Sequence, residues 1–261
     1  MLSRSGRCGA EGILRAMRPL IGIPPCLDER GRWRAAREYH YADAAYARAV
    51  AEAGGVPVYL PEQAEVAALA ERIDGLLLPG GGDFAPDRAY PAGVRFDLVP
   101  ERQLAFDRAL LAATLERDRP VLGICYGMQL LAIHCGGALY FDVATDLPGA
   151  GEHRFSDPGA RHEIRVEGAS GLRSVLGADE LPVNSRHHQA VADAGRARVT
   201  ARSADGIAEA LELPGARFAL GVQWHPESLD ARHRDQLFGA LVRACDRGAK
   251  PAGDGPRGRG Y

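Results

Sequence analysis

The chain has 261 residues, of which 46% are hydrophobic, and its formal net charge at pH 7 is -2. This length and apolar fraction suffice for one large domain with its own core. The near-neutral charge excludes a broad electrostatic attraction to nucleic acid or to an anionic membrane, so the expected partner is a small molecule.

The predicted elements begin at residue 20, because residues 1–16 have no hydrophobic period and are interpreted as a disordered extension. The strands predicted in the first half cover 20–23, 56–60, 73–78 and 120–124. The helices predicted between and after them cover 41–53, 66–72, 103–116 and 128–135. This alternation predicts an α/β fold with a parallel sheet and helices on both of its faces.

The second half is expected to add strands to that sheet. Extended runs cover 162–167, 198–202 and 218–223, and a last helix is predicted over 233–245. A single domain over 17–247 is therefore expected. Residues 248–261 are rich in Gly, Pro and Arg, which predicts a disordered tail.

The cysteine content and the N-terminus indicate the compartment. The five cysteines are scattered without a C-x-x-C pair, which argues against a disulfide framework and a structural zinc site. The start of the chain lacks the apolar core of a signal peptide, and no run of about 18 apolar residues follows. We therefore expect a cytoplasmic protein without a membrane segment.

A cysteine follows the strand predicted over 120–124, in the sequence GICYG (123–127). A nucleophile flanked by glycines between a strand and a helix is typical of a nucleophile elbow, where larger flanking residues would collide. The helix N-terminus also favours a thiolate. For Cys125 alone an ordinary buried cysteine is an equal alternative, and Cys135 in the following helix is interpreted in that way.

The sequence GVQWHPES (221–228) places a histidine and a glutamate at the end of another apolar strand. A thiolate hydrolase needs a proton acceptor and a group that orients this acceptor, and His225 and Glu227 can supply both. Taken alone, they are equally typical of a surface pair. The carboxyl ends of parallel strands form the ligand-binding edge of an open α/β sheet, however, so both motifs are expected at one site.

Two further polar segments are candidates for substrate contact. The glycines of PGGGD (79–83) favour half of an oxyanion hole, since the Gly-Lys-Ser/Thr ending of a phosphate-binding loop is missing. The segment NSRHHQ (184–189) carries donors for a substrate carboxylate, of which Arg186 is fully charged. A metal site is the alternative there. It is rejected because adjacent histidines in an extended segment point to opposite faces and no nearby carboxylate completes a ligand set.

With PGGGD, GICYGMQ and GVQWHPES, the chain resembles the class I glutamine amidotransferase superfamily from residue 19 to about 245. The resemblance implies a flavodoxin-like fold and a catalytic triad of Cys125, His225 and Glu227. It also implies an oxyanion hole formed by the N–H groups of Gly81 and Tyr126. Contacts to the substrate are expected at Gln129, Ser185, Arg186 and His187.

Within the superfamily, PLIGIP, the tyrosine-rich segment 37–61 and VNSRHHQAV are similar to the γ-glutamyl-γ-aminobutyrate hydrolases, the peptidase C26-like group. This implies hydrolysis of a γ-glutamyl amide to glutamate and an amine through a γ-glutamyl thioester, with no cofactor and no metal. Tyr126 stands where many relatives carry Arg. CYGMQ also resembles the glutaminase part of guanylate synthetases, so the identity of the amine stays open.

Two other functions are weighed against this hydrolase. A glutaminase subunit would pass ammonia to a separate synthetase, and a non-enzymatic binding module would not need the complete triad. A self-sufficient hydrolase is favoured, with Tyr126 and the loop 83–98, including Phe84 and Tyr90, expected to contact an aliphatic or aromatic amine. A homodimer is compatible with the sequence.

Overall fold

The computed structural model of the protein describes residues 17–32 and 34–246. The expected extension, the expected tail and residue 247 lie outside the described residues. The strands are β1 (Leu20–Ile23), β2 (Cys26–Asp28), β3 (Tyr39–Tyr41), β4 (Val56–Tyr59), β5 (Gly75–Leu78), β6 (Val121–Ile124), β7 (Ala138–Tyr140), β8 (His162–Val166), β9 (Glu180–Val183), β10 (Ala190–Asp193), β11 (Arg198–Ser203), β12 (Ala208–Glu212) and β13 (Ala219–Val222). The α-helices are α1 (Ala44–Glu52), α2 (Val66–Arg72), α3 (Glu101–Glu116), α4 (Tyr126–His134), α5 (Val143–Asp146), α6 (Gly171–Leu176) and α7 (Ala231–Ala244).

The central sheet has nine strands in the order β4-β1-β5-β6-β13-β12-β11-β8-β9. The five strands from β4 to β13 pair in parallel, and β12, β11, β8 and β9 continue the sheet antiparallel. Counted along the chain, the parallel strands follow the 2-1-3-4-5 order of flavodoxin-like folds. The predicted α/β fold with a mostly parallel sheet and added strands is confirmed.

Strand β5 illustrates how the sheet is buried on both faces. Its residues Leu76, Leu77 and Leu78 are all fully buried. Successive side chains of a strand point to opposite faces, so Leu77 joins the core that contains residues of α1 and α7. Leu76 and Leu78 join the core that contains residues of α3 and α4. An uninterrupted apolar run is therefore the expected sequence of such a strand.

Several element boundaries differ from the prediction. The helix predicted over 41–53 begins later, because β3 pairs antiparallel with β2 and the side chain of Asp43 then accepts the N–H of Ala45 as an N-cap. The strand predicted over 73–78 is shorter, since Ile73 ends α2. Helix α4 ends before Cys135, which lies at its C-terminal cap and is buried.

The site-forming edge of the sheet follows from this order. Strand β6 lies between β5 and β13, and all three run parallel. The segments that follow their carboxyl ends therefore meet at one edge. In the described part of the chain, no helix is long and apolar enough to cross a membrane.

Candidate active site

Cys125 occupies the sharp turn between β6 and α4, with φ of 52° and ψ of −103°. A non-glycine residue rarely adopts this left-handed conformation, which costs about 1–3 kcal/mol. A Cβ on Gly123 would lie 2.5 Å from the carbonyl oxygen of Gly127. A Cβ on Gly127 would lie 2.4 Å from the carbonyl oxygen of Leu78. The two glycines therefore permit the close packing of this turn, which places Cys125 in the wall of a cavity.

His225 and Glu227 follow β13 and line the same cavity as Cys125. The Nδ1 atom of His225 lies 2.8 Å from Oε1 of Glu227, whose side chain is buried. Burial disfavours a charged imidazole, but the interactions with Cys125 and Glu227 outweigh it and raise the pKa of His225 to about 10. The arrangement therefore favours a protonated imidazole beside the sulfur.

The cavity above Cys125 has a volume of about 330 Å³. Polar side chains in its wall are those of Tyr41, Asp43, Tyr46, Asp97 and Arg186. Asp97 forms ion pairs with Arg30 at 2.5 Å and with Arg32 at 2.9 Å. Besides the imidazole of His225, Arg186 is a cationic side chain in the wall itself, where it can meet a carboxylate of a ligand.

The glycine loop after β5 forms another part of the wall. The N–H of Gly80 donates to the hydroxyl of Tyr46 at 3.0 Å. The N–H of Gly81 forms no hydrogen bond within the described residues. Tyr126 is the first residue of α4, so its N–H has no acceptor inside the helix. Gly81 lines the cavity and Tyr126 directly follows Cys125, so both N–H groups are candidates for binding a developing negative charge on a substrate oxygen.

Of the four residues expected to bind substrate, Arg186 lines the cavity, whereas Gln129, Ser185 and His187 are buried away from it. The Gln129 amide donates to the carbonyl of Gln189 at 2.9 Å. The Ser185 hydroxyl donates to the carbonyl of His153 at 2.5 Å. These side chains hold the backbone around the site.

The aromatic residues expected to contact the amine do not line the cavity either. Tyr126 is stacked on Phe84 with ring centroids 5.0 Å apart, and its hydroxyl donates to Asp107 at 3.0 Å. The hydroxyl of Tyr90 donates to Asp146 at 2.8 Å. Each of these three aromatic side chains is instead engaged with a neighbouring carboxylate or ring.

Sequence reasoning missed two residues that position His225. The amide nitrogen of Asn184 donates to the carbonyl of His225, and the Asn184 oxygen accepts its N–H, both at 2.8 Å. The hydroxyl of Tyr46 lies 3.4 Å from Nδ1 of His225. Asn184 belonged to a segment expected to contact substrate, and nothing in its spacing indicates a partner 41 residues away.

This fold is that of the class I glutamine amidotransferase domains. The chain belongs to the Peptidase C26 family, which it matches over residues 19–227. It is 34% identical to the gamma-glutamyl-gamma-aminobutyrate hydrolase of Escherichia coli (strain K12), over 87% of this chain and 93% of that protein. It is 39% identical to the Mycobacterium tuberculosis protein named "Putative glutamine amidotransferase Rv2859c", over 89% of this chain and 76% of that protein.

A solved structure supports the fold independently. The glutaminase domain of Trypanosoma brucei CTPS with bound acivicin matches with a TM-score of 0.60 at 15% identity, covering 87% of this chain and 93% of that one. Together with the family match, this confirms the resemblance to the class I glutamine amidotransferase superfamily.

Proposed function

We propose that the protein hydrolyses a γ-glutamyl amide to glutamate and an amine, with Cys125 as the nucleophile. The observation that carries the proposal is the strained elbow of Cys125 in one cavity with His225, which is itself bonded to Glu227 at 2.8 Å. A cysteine beside an oriented imidazole is the arrangement that nucleophilic hydrolysis requires. The relatives named as γ-glutamyl-γ-aminobutyrate hydrolases support the γ-glutamyl class of substrate.

The reaction proceeds in two halves. The Cys125 thiolate attacks the γ-carbonyl carbon, and the N–H groups of Gly81 and Tyr126 stabilise the resulting oxyanion by about 3 kcal/mol each. The C–N bond then breaks as His225 gives its proton to the departing amine, which leaves a γ-glutamyl thioester. In the second half, a water gives a proton to His225 and attacks the thioester. Glutamate leaves, and the sulfur is regenerated.

We assign the α-carboxylate of the glutamyl portion to Arg186, the guanidinium of the cavity wall. The amine portion then lies against the wall that contains Tyr41 and Asp43. Binding energy from the amine portion raises turnover only if it is realised in the transition state. A stand-alone hydrolase of this kind is expected to prefer larger γ-glutamyl amines to glutamine.

The substrate class is tested with a panel of γ-glutamyl-γ-aminobutyrate, a γ-glutamyl alkylamine and glutamine, using glutamate release as the readout. We expect a higher kcat/KM for one of the two larger amides than for glutamine. Equal values, or a preference for glutamine, would favour the alternative of a glutaminase that supplies ammonia to a separate synthetase.

The nucleophile is tested with Cys125→Ala, which is expected to lower kcat by at least about 10³-fold because no thioester can form. The matched control is Cys135→Ala. Its sulfur is buried at 2% exposure outside the cavity, so this variant should lose thermal stability but keep its turnover. Mass spectrometry of quenched wild-type reactions should detect a γ-glutamyl adduct on the peptide that contains Cys125. Substantial turnover by Cys125→Ala would exclude the covalent route.

A further inference from the structure

Three histidines and one glutamate converge in the antiparallel part of the molecule. Oε1 of Glu209, in β12, lies 3.5 Å from Nδ1 of His153, 3.6 Å from Nε2 of His162 and 3.7 Å from Nε2 of His187. Glu209, His153 and His187 are buried, and His162 is partly exposed. None of the four residues lines the cavity above Cys125.

The atoms at the centre of this cluster lack hydrogen bonds. The three facing nitrogens and both carboxylate oxygens of Glu209 are buried without a partner within the described residues. Their separations are too long for well-formed hydrogen bonds. Buried polar atoms in proteins almost always have a hydrogen-bonding or metal partner. Five such atoms without one in the same cluster therefore indicate a common ligand that they all contact.

The spacing of these atoms suits a metal ion. For metal–ligand bonds of about 2.1 Å, tetrahedral geometry places neighbouring ligand atoms about 3.4 Å apart. The observed separations of 3.5–3.7 Å from Glu209 are close to this value. The ligand atoms of His153, His187 and Glu209 also all lie within 4.8 Å of one another. Imidazole nitrogens with a carboxylate oxygen form a ligand set that Zn²⁺ prefers.

The far sides of two of the rings are held as metal-bound histidines usually are. Nε2 of His153 lies 2.9 Å from a carboxylate oxygen of Asp205, and Nδ1 of His187 lies 3.0 Å from the carbonyl oxygen of Gln189. Each of these acceptors places the proton on the outer nitrogen. The inner nitrogen then presents its lone pair to the centre of the cluster.

We propose that His153, His187 and Glu209 bind one Zn²⁺ ion, with His162 beside the same carboxylate oxygen of Glu209. These three ligands come from separate parts of the chain and none lines the cavity above Cys125, so the ion would have a structural role. The sequence-based rejection of a metal in NSRHHQ (184–189) is revised accordingly, because the fold brings a carboxylate from β12 to His187. His188 points elsewhere, towards Asp83, as expected for adjacent residues of an extended segment.

The ion would join two irregular segments of the chain to strand β12 of the sheet. His187 belongs to the segment 184–189, which also contains Arg186 of the cavity wall and Asn184, the partner of His225. His153 belongs to the loop before β8, and Glu209 to β12. The metal thereby stabilises the segment that borders the active site without taking part in its chemistry.

The test is the zinc content of the full chain, purified without a histidine tag from zinc-supplemented medium. We expect about one Zn²⁺ per chain in the wild type and a loss of bound zinc in Glu209→Gln. If that variant does not fold, Asp205→Asn should fold and bind Zn²⁺ roughly 10–100-fold more weakly. The control is His233→Ala, since this histidine forms a separate ion pair with Asp230 and its loss should leave the zinc content unchanged.

Two further readouts do not depend on activity. Chelation should lower the Tm of the wild type, and Zn²⁺ but not Mg²⁺ should restore it. Replacement by Co²⁺ should produce the visible absorption of a tetrahedral site in the wild type and not in Glu209→Gln. The proposal is overturned if the wild type binds no zinc, if its Tm does not respond to Zn²⁺, or if Glu209→Gln and Asp205→Asn both retain full zinc affinity.

Discussion

The orientation of the His225 ring is determined by the hydrogen bond that one of its two nitrogens forms. Nδ1 faces Glu227 at 2.8 Å, with the hydroxyl of Tyr46 nearby at 3.4 Å. In the proposed mechanism, Nε2 is thereby left to exchange a proton with the sulfur and with the departing amine. The carboxylate also favours the charged form of the ring, so orientation and charge both depend on Glu227.

For this reason, Glu227→Gln is expected to move the alkaline limb of the kcat/KM profile to lower pH. Burial lowers the pKa of His225, while the contacts with Cys125 and Glu227 raise it to about 10. Glutamine keeps a hydrogen-bond partner but removes the negative charge, so the imidazolium loses its proton at lower pH. The measurement is kcat/KM against pH for both proteins. An alkaline limb that does not move would show that this carboxylate does not act on His225.

At the scale of single residues, the sequence motifs located the candidate catalytic residues. They did not predict the direction in which every side chain of the site points. Cys125, His225 and Glu227 follow strands whose ends must meet in a parallel sheet, so their proximity was predictable. Ser185 and His187 lie in an extended segment, in which successive side chains point to opposite sides. A shift of the register by one residue would therefore exchange the buried and the cavity-facing side chains. Their burial depends on β12 and on the loop before β8, which no local pattern connects to them.

At the scale of elements, the segment 184–189 acts as a clamp between two active-site loops. Asn184 holds the backbone of His225 with two hydrogen bonds. Gln189 accepts the N–H of Phe84 at 2.8 Å and donates to its carbonyl at 3.0 Å. Phe84 directly follows the glycine loop, so the clamp links His225 to the loop that we propose as part of the oxyanion hole.

The clamp predicts different kinetic effects for neighbouring residues. Asn184→Ala should lower kcat on the order of 10–100-fold with little change in KM, because the base is misplaced while the cavity wall is kept. Arg186→Ala should mainly raise KM, because it removes a contact to the substrate carboxylate. Steady-state measurement of kcat and KM for both variants distinguishes the positioning role from the binding role. A rise in KM alone for Asn184→Ala would contradict the positioning role.

The elements that the sequence missed share a physical cause. The parallel strands are buried on both faces and therefore carry recognisable apolar runs. Strand β12 has the sequence AEALE, whose residues have low β-propensity, and it is held in the sheet by β11 and β13. Strands β2 and β3 are three residues each and are stabilised by their mutual pairing. Tertiary contacts determine these strands, and local sequence does not encode them.

At the scale of the whole molecule, the pH dependence of stability should reflect the buried carboxyl of Asp107. Burial raises its pKa to about 7 from an ordinary value of 3.8, although hydrogen bonds from Tyr126 and Gln103 oppose the shift. The native state thus binds this proton more tightly than the unfolded chain. Its contribution to stability is full below about pH 4 and is lost as the pH rises through about 7.

Asp107→Asn removes this titration. Relative to the wild type, the variant should gain up to about 4 kcal/mol of unfolding free energy between acidic and mildly alkaline pH. Urea unfolding of both proteins at several pH values measures the difference. The control is Asp87→Asn, an exposed carboxylate whose replacement should leave the pH dependence unchanged. Parallel curves for wild type and Asp107→Asn would exclude the assignment.

The place of β13 in the sheet also determines when a newly synthesised chain becomes active. Strand β13 joins the parallel strands to the antiparallel ones, with β6 on one side and β12 on the other. Until residues 219–222 have left the ribosome, β6 and β12 each present an edge that β13 does not yet cover, and unpaired edges template aggregation. His225 is synthesised just afterwards. The nascent chain therefore cannot assemble the candidate active site until most of its length has been translated.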